Sequence, residues 1–467
     1  MTAVPQLKKS SLHQRLQWIA DPVKYMETAA KEYPDIFAAD IIGGDRYYVF
    51  VHHPEAVEEI LTNDIFSTRE ESRQKFNATG KENAILKPLV GEASVIMLES
   101  DRHKQRRKLL LPPFHGKRMQ VYSELICQLT TQIFARLTPG ESFTARTLTQ
   151  EISLQVILEA VYGLGNSDRH RELKQSITKM TDVFRSPLTS AFLFFPWLQK
   201  DLGGWSPWGN FLRQQKAIDR AIYQEIHQRQ GENDPQGQDI LSLMMSARDE
   251  VGQPMSDGEL RDELKTLMFA GHETTATAMA WALYWMHRLP EVKQKLLAEI
   301  ESLGSDPDPM AIPKLPYLDA VCKETLRIYP VGMLTFGRVV EQSTQLLGYK
   351  LQPGEVVVGC IYLMHHREDL YPQPKQFKPE RFLEKQCSPY EFLPFGGGAR
   401  RCIGEALAML EMKLVIATIL TRYQLQLASS RPELLQRRGV TLAPQTGVKM
   451  TFCGRQTVKL QQQLNFN

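Results

Sequence analysis

Cys402 closes the first half of PFGGGARRCIGEALAMLEMKL, residues Pro394–Leu414, which sets three glycines, two arginines and a thiol just ahead of a helical pattern. Ala406, Leu407, Leu410 and Leu414 recur at i, i+1, i+4 and i+8, so one helix face is apolar and the helix is expected to begin near Cys402 or Ile403. A helix N-terminus beside Arg400 and Arg401 favours a thiolate over a thiol. Glycines without side chains would let something large and flat lie against that backbone. A thiolate on such a loop is a metal ligand or a nucleophile.

A second constellation lies in FAGHETTAT. Gly271 is unfavourable inside a helix. Thr274 follows Ala270 by four residues, so its hydroxyl can bond the Ala270 carbonyl and open the helix there. Glu273 adds a carboxylate in apolar surroundings. The helix that must carry these groups starts at a capping box, Ser256 with Glu259, and ends before Pro290. About 32 residues make it roughly 48 Å long. It is apolar on nearly all sides from Leu264 to Trp285, so it is expected to cross the centre of the protein. Taken alone, a Gly–Thr irregularity is as well explained by packing, and Glu273 by a solvated face.

Other chemistries are excluded by spacing. His272–Glu273 begins like HExxH, but position 276 is Ala. GLGNSD at 163–168 lacks the third glycine of a dinucleotide fingerprint, and no GxxxxGK[ST] occurs. The six cysteines form no CxxC pair, which argues against a zinc ribbon or disulfide framework; five read as small buried hydrophobes.

The 467 residues are 42% hydrophobic and 23% charged, with a net charge of +3, so a folded protein with a large core is expected and no partner follows from global charge. No apolar run is long enough for a membrane span and no signal peptide is visible, so the expected location is cytoplasmic. Helical patterns dominate. Strand-like runs fall at Phe37–Ile42, Tyr47–Val51 and Glu355–Val358, giving a mainly α protein with small β-sheets.

Two further motifs complete the pattern. Glu324 and Arg327, in KETLRIYP, stand one turn apart, and Arg381, in FKPERF, can complete a buried Glu-Arg-Arg set. With Phe395-Gly-x-Gly398-x-Arg400-x-Cys402-x-Gly404, Ala270-Gly271-x-Glu273-Thr274-Thr275, Glu324-x-x-Arg327 and Pro379-Glu380-Arg381-Phe382 in this order, the chain resembles the cytochrome P-450 haem-thiolate monooxygenases, from about Pro22 to Met450. The resemblance implies one large domain over residues 1–467 with no fused reductase, a triangular helical prism whose haem lies between the long central helix and the Cys-loop helix.

It further implies that Cys402 is the metal ligand of haem b, whose thiolate favours O–O cleavage. Phe395, His103, Arg107, Arg338 and Arg400 are the other implied haem contacts, the cations serving the two propionates. Glu273 and Thr274 match the acid–alcohol pair that handles protons, Thr274 by holding an ordered water. Glu324, Arg327 and Arg381 are implied to be a structural network, as is His366–Arg367. One oxygen atom of O2 would enter a C–H bond, with electrons ultimately from NAD(P)H through an external ferredoxin or flavodoxin. Seven Lys or Arg between 101 and 120, with Arg401, would attract that acidic donor. No nucleic-acid motif accompanies the patch. A monomer is expected.

For substrate, the pocket candidates are Val95, Ile96, Phe184, Ala270, Gly271, Val331, Met333 and Phe336. The aromatics Phe184, Phe192, Phe194, Phe195, Trp197, Trp205 and Trp208 would line an apolar channel, touch a membrane surface peripherally, or pack in the core. The haem loop is also similar to that of the animal P-450s that hydroxylate retinoic acid, which ranks a retinoid or other isoprenoid ahead of a fatty acid or sterol. A substrate carboxylate would look to Arg73 or Lys75. A peroxygenase or isomerase, and a haem-based sensor or lipid carrier without turnover, are the competing readings; an intact Glu–Thr pair weighs against both.

Overall fold

The computed structural model describes residues 2–41, 47–62, 75–78, 80–116, 118–163, 168–182, 199–232, 239–249, 251–304 and 307–456. Five helices position the site: α1 (Ser100–Leu110), α2 (Ala145–Tyr162), α3 (Asp257–Arg288), α4 (Pro316–Ile328) and α5 (Glu405–Arg422).

The long central helix is the one expected. α3 has 32 residues and begins at the Ser256–Glu259 capping box, in which each residue's backbone amide donates to the other's side chain, at 3.3 and 3.0 Å. Trp281, Leu283 and Met286 on α3 are fully buried in one large apolar cluster with Leu414 and Val415 of α5 and Val156 and Leu158 of α2. α2 crosses α3 closely. A Cβ on Gly271 would stand 3.2 Å from Ile157 Cδ1, so the absent side chain sets the approach of the two helices. Thr149 Oγ1 on α2 donates to the Ala276 carbonyl at 2.9 Å, joining the helices by a buried hydrogen bond. Burying so much apolar surface around one helix is the dominant favourable term in holding it.

Beside the helices lies a five-stranded sheet of order β1-β2-β5-β4-β3, with β1 Ile36–Ala39, β2 Tyr48–Val51, β3 Phe76–Asn77, β4 Arg338–Val340 and β5 Val356–Gly359. β2 and β5 are parallel, with Tyr48 opposite Val356; the other neighbours are antiparallel. β1 and β5 are buried at every position, as strands covered on both faces must be. A C-terminal hairpin, β6 Leu435–Arg438 and β7 Thr441–Pro444, turns at Gly439 with φ 60° and is tied to the Pro330 loop by Leu442 N donating to Val331 O at 2.9 Å.

α4 carries a closed ionic cluster. Glu324 and Arg327 have no solvent exposure. Arg327 grips Glu324 with two bonds of 2.6 and 2.8 Å, and Arg381 Nε reaches the same carboxylate at 3.1 Å. Lys378 N donates to it at 2.8 Å, while Arg327 also donates to the His365 carbonyl at 2.8 Å. Arg367 joins Asp35 at 2.7 Å and the carbonyls of Pro34 and His52, linking the sheet region to the following loop.

Candidate active site

The Cys402 loop departs from the sequence expectation in three ways. α5 begins at Glu405, three residues beyond the thiol, and a single 3-10 turn covers Gly398–Arg400. From Leu410 to Leu420 α5 is buried on all sides, not along one stripe. Two of the glycines also serve protein packing: a Cβ on Gly397 would meet Leu61 Cδ1 at 2.7 Å, and one on Gly398 (φ +63°) would meet the Leu61 carbonyl oxygen at 2.5 Å. Gly396 (φ +68°) and Gly404 have open space where a Cβ would lie.

Cys402 N donates to the Phe395 carbonyl at 3.0 Å, which folds the loop back on itself. The thiol is surrounded by protein but keeps accessible surface. Burial pushes its pKa up, Glu405 adds to this, and the Gly404 amide, Arg107 and Arg401 oppose it without prevailing. The protein alone therefore favours the thiol, contrary to expectation; a metal ion would have to hold the thiolate, which coordination does outright.

Three guanidiniums, Arg400, Arg338 and Arg107, and the imidazole of His103 converge near this loop. Arg400 is buried and donates to the carbonyls of Ala78 (2.8 Å), Val95 (2.9 Å) and Leu98 (2.5 Å). Arg338 on β4 is buried and donates to the Phe336 carbonyl at 2.8 Å. His103 on α1 is buried too; burial first, then the charges of Arg400, Arg107 and Arg338, push its pKa down to about 3. An accessible thiol, with one histidine and three guanidiniums gathered beside it, is the donor set that a metal macrocycle carrying two carboxylates requires.

The loop at 91–98 that Arg400 grips is clamped to α3. Ala93 N donates to Asp262 Oδ2 at 2.9 Å, and Thr266 Oγ1 donates to Ser94 Oγ at 2.7 Å. Arg106 pairs with Glu259 at 2.5 Å and Glu263 at 2.9 Å. Arg106 thus leaves the expected basic surface patch for the interior. Lys117 lies outside the described residues. Arg102, Lys104, Lys108 and Arg401 remain exposed, Arg401 in an ion pair with Glu405.

On α3, Thr274 Oγ1 donates to the Ala270 carbonyl at 2.6 Å and Thr275 Oγ1 to that of Gly271 at 2.9 Å. The helix nevertheless continues through both, so these bonds bend hydroxyls inward without breaking it. Glu273 sits in ionic rather than apolar surroundings. Its carboxylate accepts from Arg146 and, at 2.8 Å, from Gln150, both on α2, while Arg438 of β6 stands 3.6 Å away. Burial would raise its pKa, but Arg146, His272 and Arg438 together hold it below the usual value.

Glu273 and Thr274 both face a cavity of about 360 Å³. Ile96, Ala270, Met333 and Phe336 line it as expected, together with Leu86, Leu89, Phe269, Val358 and Val440. Three expected residues do not. Val95 is buried behind the loop, with its carbonyl on Arg400; Gly271 faces Ile157; Val331 is buried with its carbonyl on Leu442. Phe184 lies outside the described residues, as do Phe192, Phe194, Phe195, Trp197 and Arg73. Trp208 packs in the core against Phe211, whereas Trp205 is 97% exposed. Lys75 pairs with Glu59 at 2.9 Å and is absent from the cavity wall. Sequence reasoning missed Trp18, Arg146, Gln150, Arg437 and Arg438. No motif in QRRG singles out either arginine, and arginine is mostly exposed.

Comparison with known proteins agrees with this geometry. The family model for cytochrome P-450 matches residues 8–452. A Mycobacterium tuberculosis protein named "Putative cytochrome P-450 135B1" is 32% identical over 429 residues, covering 92% of this chain and 86% of its own length. Another from the same organism, "Putative cytochrome P-450 138", is 31% identical over 449 residues, 96% of each chain. Among solved structures, the retinoic-acid-bound cyanobacterial CYP120A1 has a similar fold, with a TM-score of 0.84 at 22% identity over 97% of this chain and 99% of that one. The cytochrome P-450DA heme domain gives 0.83 at 21% identity, covering 98% of each.

The chain belongs to the cytochrome P-450 family. It is a monooxygenase of that class, using a cysteine-ligated haem, dioxygen and electrons from a redox partner. Among the described residues, no helix is long and apolar enough to cross a membrane.

Proposed function

We propose that this single catalytic domain hydroxylates a large, mainly apolar substrate of the retinoid or isoprenoid class, with Cys402 as the iron ligand. The observation that carries the reading is the cavity walled by Leu86, Leu89, Ile96, Phe269, Phe336 and Val440, which opens onto Thr274 and Glu273 of the central helix. Apolar walls with a few convergent polar groups are what a lipid-like substrate needs.

The haem supplies oxygen activation when bound. The chain's own groups do the rest. Arg400, Arg338 and Arg107 would neutralise the propionates, and His103 would donate a hydrogen bond to them. Gly404 N–H donates toward the Cys402 sulfur and tempers its charge. Thr274 donates its hydroxyl hydrogen bond to the Ala270 carbonyl, so its oxygen can accept one from a water in the cavity. Glu273, kept ionised, draws protons toward that water, and Arg146 and Gln150 fix its position. This equipment supports turnover over a carrier or sensor role.

Exposed Arg102, Lys104, Lys108 and Arg401 support an acidic ferredoxin or flavodoxin as electron donor. Its reduction of the haem is expected to slow steeply as ionic strength rises; a salt-independent rate would remove the argument. For the substrate, ferric holoenzyme titrated with all-trans-retinoic acid, a terpene hydrocarbon, long-chain fatty acids and a sterol gives a direct test. A saturable Soret shift with the retinoid, at lower concentration than with the others, is expected. A response confined to fatty acids or sterols would transfer the assignment to those lipids.

A further inference from the structure

His272, which begins an HExxH pattern that Ala276 breaks, has no part in the chemistry assigned so far. It lies at the centre of α3 with no solvent exposure. Its Nδ1 is 2.5 Å from the Met268 carbonyl oxygen. A carbonyl can only accept, so Nδ1 carries the hydrogen. Burial first, then Arg146 on α2 and Arg438 on β6, outweigh Glu273 and the Met268 carbonyl and push the ring's pKa down, so the ring is neutral. A neutral ring with its hydrogen on Nδ1 has a bare lone pair on Nε2. That nitrogen is out of reach of solvent and has no hydrogen-bond partner among the described residues. A buried acceptor left unpaired is costly, and native folds rarely keep one without a use.

Nε2 stands 4.0 Å from Glu273 Oε1. The two oxygens of Glu273 are not equivalent. Oε2 meets both guanidiniums, accepting from Arg146 and lying 3.6 Å from Arg438. Oε1 accepts from the neutral Gln150 amide at 2.8 Å, and a carboxylate oxygen has room for a second hydrogen bond. Oε1 and Nε2 are both acceptors, so as they stand neither can bond the other, and the gap is about 1 Å longer than a hydrogen bond. One proton changes this. On Oε1 it cancels the charge that binds Glu273 to Arg146 and Arg438, and it supplies the O–H for which Nε2 is the matching acceptor. A small rotation of the carboxyl group closes the gap.

We propose that His272 is the positioning residue for the acid form of Glu273: a proton taken up from solvent water sits on Glu273 Oε1, is held there by donation to His272 Nε2, and passes to the water bound by Thr274. One proton arrives and one leaves. Glu273 returns to the carboxylate, and the imidazole stays neutral throughout. Without that acceptor, the neutral carboxyl group would lose its ionic anchors and gain nothing to keep it at the cavity wall. The proposal rests on the proton-delivery role assigned above to Glu273 and Thr274, and it is independent of which substrate fills the cavity.

The test drives holoenzyme with a ferredoxin, its reductase and NADPH, and reads the peroxide released per NADPH consumed. It is run with all-trans-retinoic acid and again with no organic substrate, where the alternative product is water. His272→Asn keeps an amide N–H near the Nδ1 position but removes the acceptor; His272→Gln puts an amide oxygen near Nε2. His272→Asn is expected to slow formation of hydroxylated product or water about tenfold, within the range of couplings between neighbouring residues, and to raise the peroxide share and the solvent deuterium isotope effect. His272→Gln is expected to recover most of the loss. Added to Glu273→Gln, His272→Asn is expected to cost nothing further, because the carboxyl group it positions is gone. Additive losses, or a wild-type peroxide share in a folded His272→Asn, overturn the proposal and leave Glu273 in its role. A Glu273→Gln variant with a wild-type peroxide share overturns the Glu273 reading and this proposal with it. One measurement needs no variant: the ring-nitrogen magnetic resonance spectrum of the reduced, carbon-monoxide-bound holoenzyme, which is diamagnetic. Hydrogen on Nδ1 and a bare Nε2 are expected for His272, and hydrogen on Nε2 overturns the proposal even if no variant folds.

Discussion

Two carboxylates, the buried Glu324 and the partly buried Glu273, each hold two arginines, and they behave as opposites. Glu324 has no exposure, and every contact around it closes inward: Arg327, Arg381, the Lys378 amide and, through Arg327, the His365 carbonyl. Nothing could enter without dismantling it. Glu273 has similar partners in Arg146, Gln150 and Arg438, but one side is a cavity wall. The same ion-pair chemistry thus fixes chain geometry in one place and keeps a charge ready beside a substrate in the other. Composition does not separate the two roles; access does.

The sharpest way to break that contrast is at Glu324. Removing one partner of a buried pair leaves an uncompensated charge, at a cost of about 3–5 kcal/mol. Glu324→Gln and Arg327→Ala are expected to abolish haem incorporation or lower the melting temperature drastically. A haem-loaded variant melting like wild type would show the cluster to be dispensable.

At Glu273 the expectation is different. Glu273→Gln should fold, load haem and bind substrate normally, while product formation falls by roughly 10²-fold, the usual scale of a lost acid–base group. Thr274→Ala should keep consuming NAD(P)H and release more of it as peroxide, because the water is no longer held. Product formed per NAD(P)H consumed is the measurement, and unchanged coupling in both variants would remove the pair from proton delivery.

A third carboxylate sharpens the comparison because the Ser153 hydroxyl, not a guanidinium, opposes the effect of its burial. Burial pushes Glu411 on α5 up to about 8, with Ser153 only partly opposing it. A folded-state pKa above the unfolded value of 4.5 stabilises the fold below that value, and the advantage is lost as pH rises toward the folded pKa. Melting temperature should therefore decline between about pH 5 and pH 8, and Glu411→Gln should flatten that decline. An unaltered slope in the variant would mean that other groups govern it.

The sequence made the frame legible because frame elements carry long-range signals. A capping box, a proline stop and apolar residues on every side located the central helix to the residue. The Glu324–Arg327–Arg381 set was visible because two of its members are one turn apart. The Cys loop was found, but its details were not: the thiol pKa depends on burial, and the glycines pack against Leu61, far away in sequence. Glu273 illustrates the same limit. Arg146 and Arg438 reach it from α2 and from the C-terminal hairpin, at separations that no local pattern records. Arg437 was missed because arginine is mostly exposed, whereas here its guanidinium lies over the Trp18 ring, a contact between residues far apart in sequence.

The most direct test of the account is the absorption spectrum of the reduced protein under carbon monoxide, for wild type and for Cys402→His. The account predicts the red-shifted Soret band of a thiolate ligand in wild type, replaced by a histidine-type band in the folded variant. A histidine-type band in folded wild type, or a thiolate-type band that survives the substitution, would contradict Cys402 as the iron ligand.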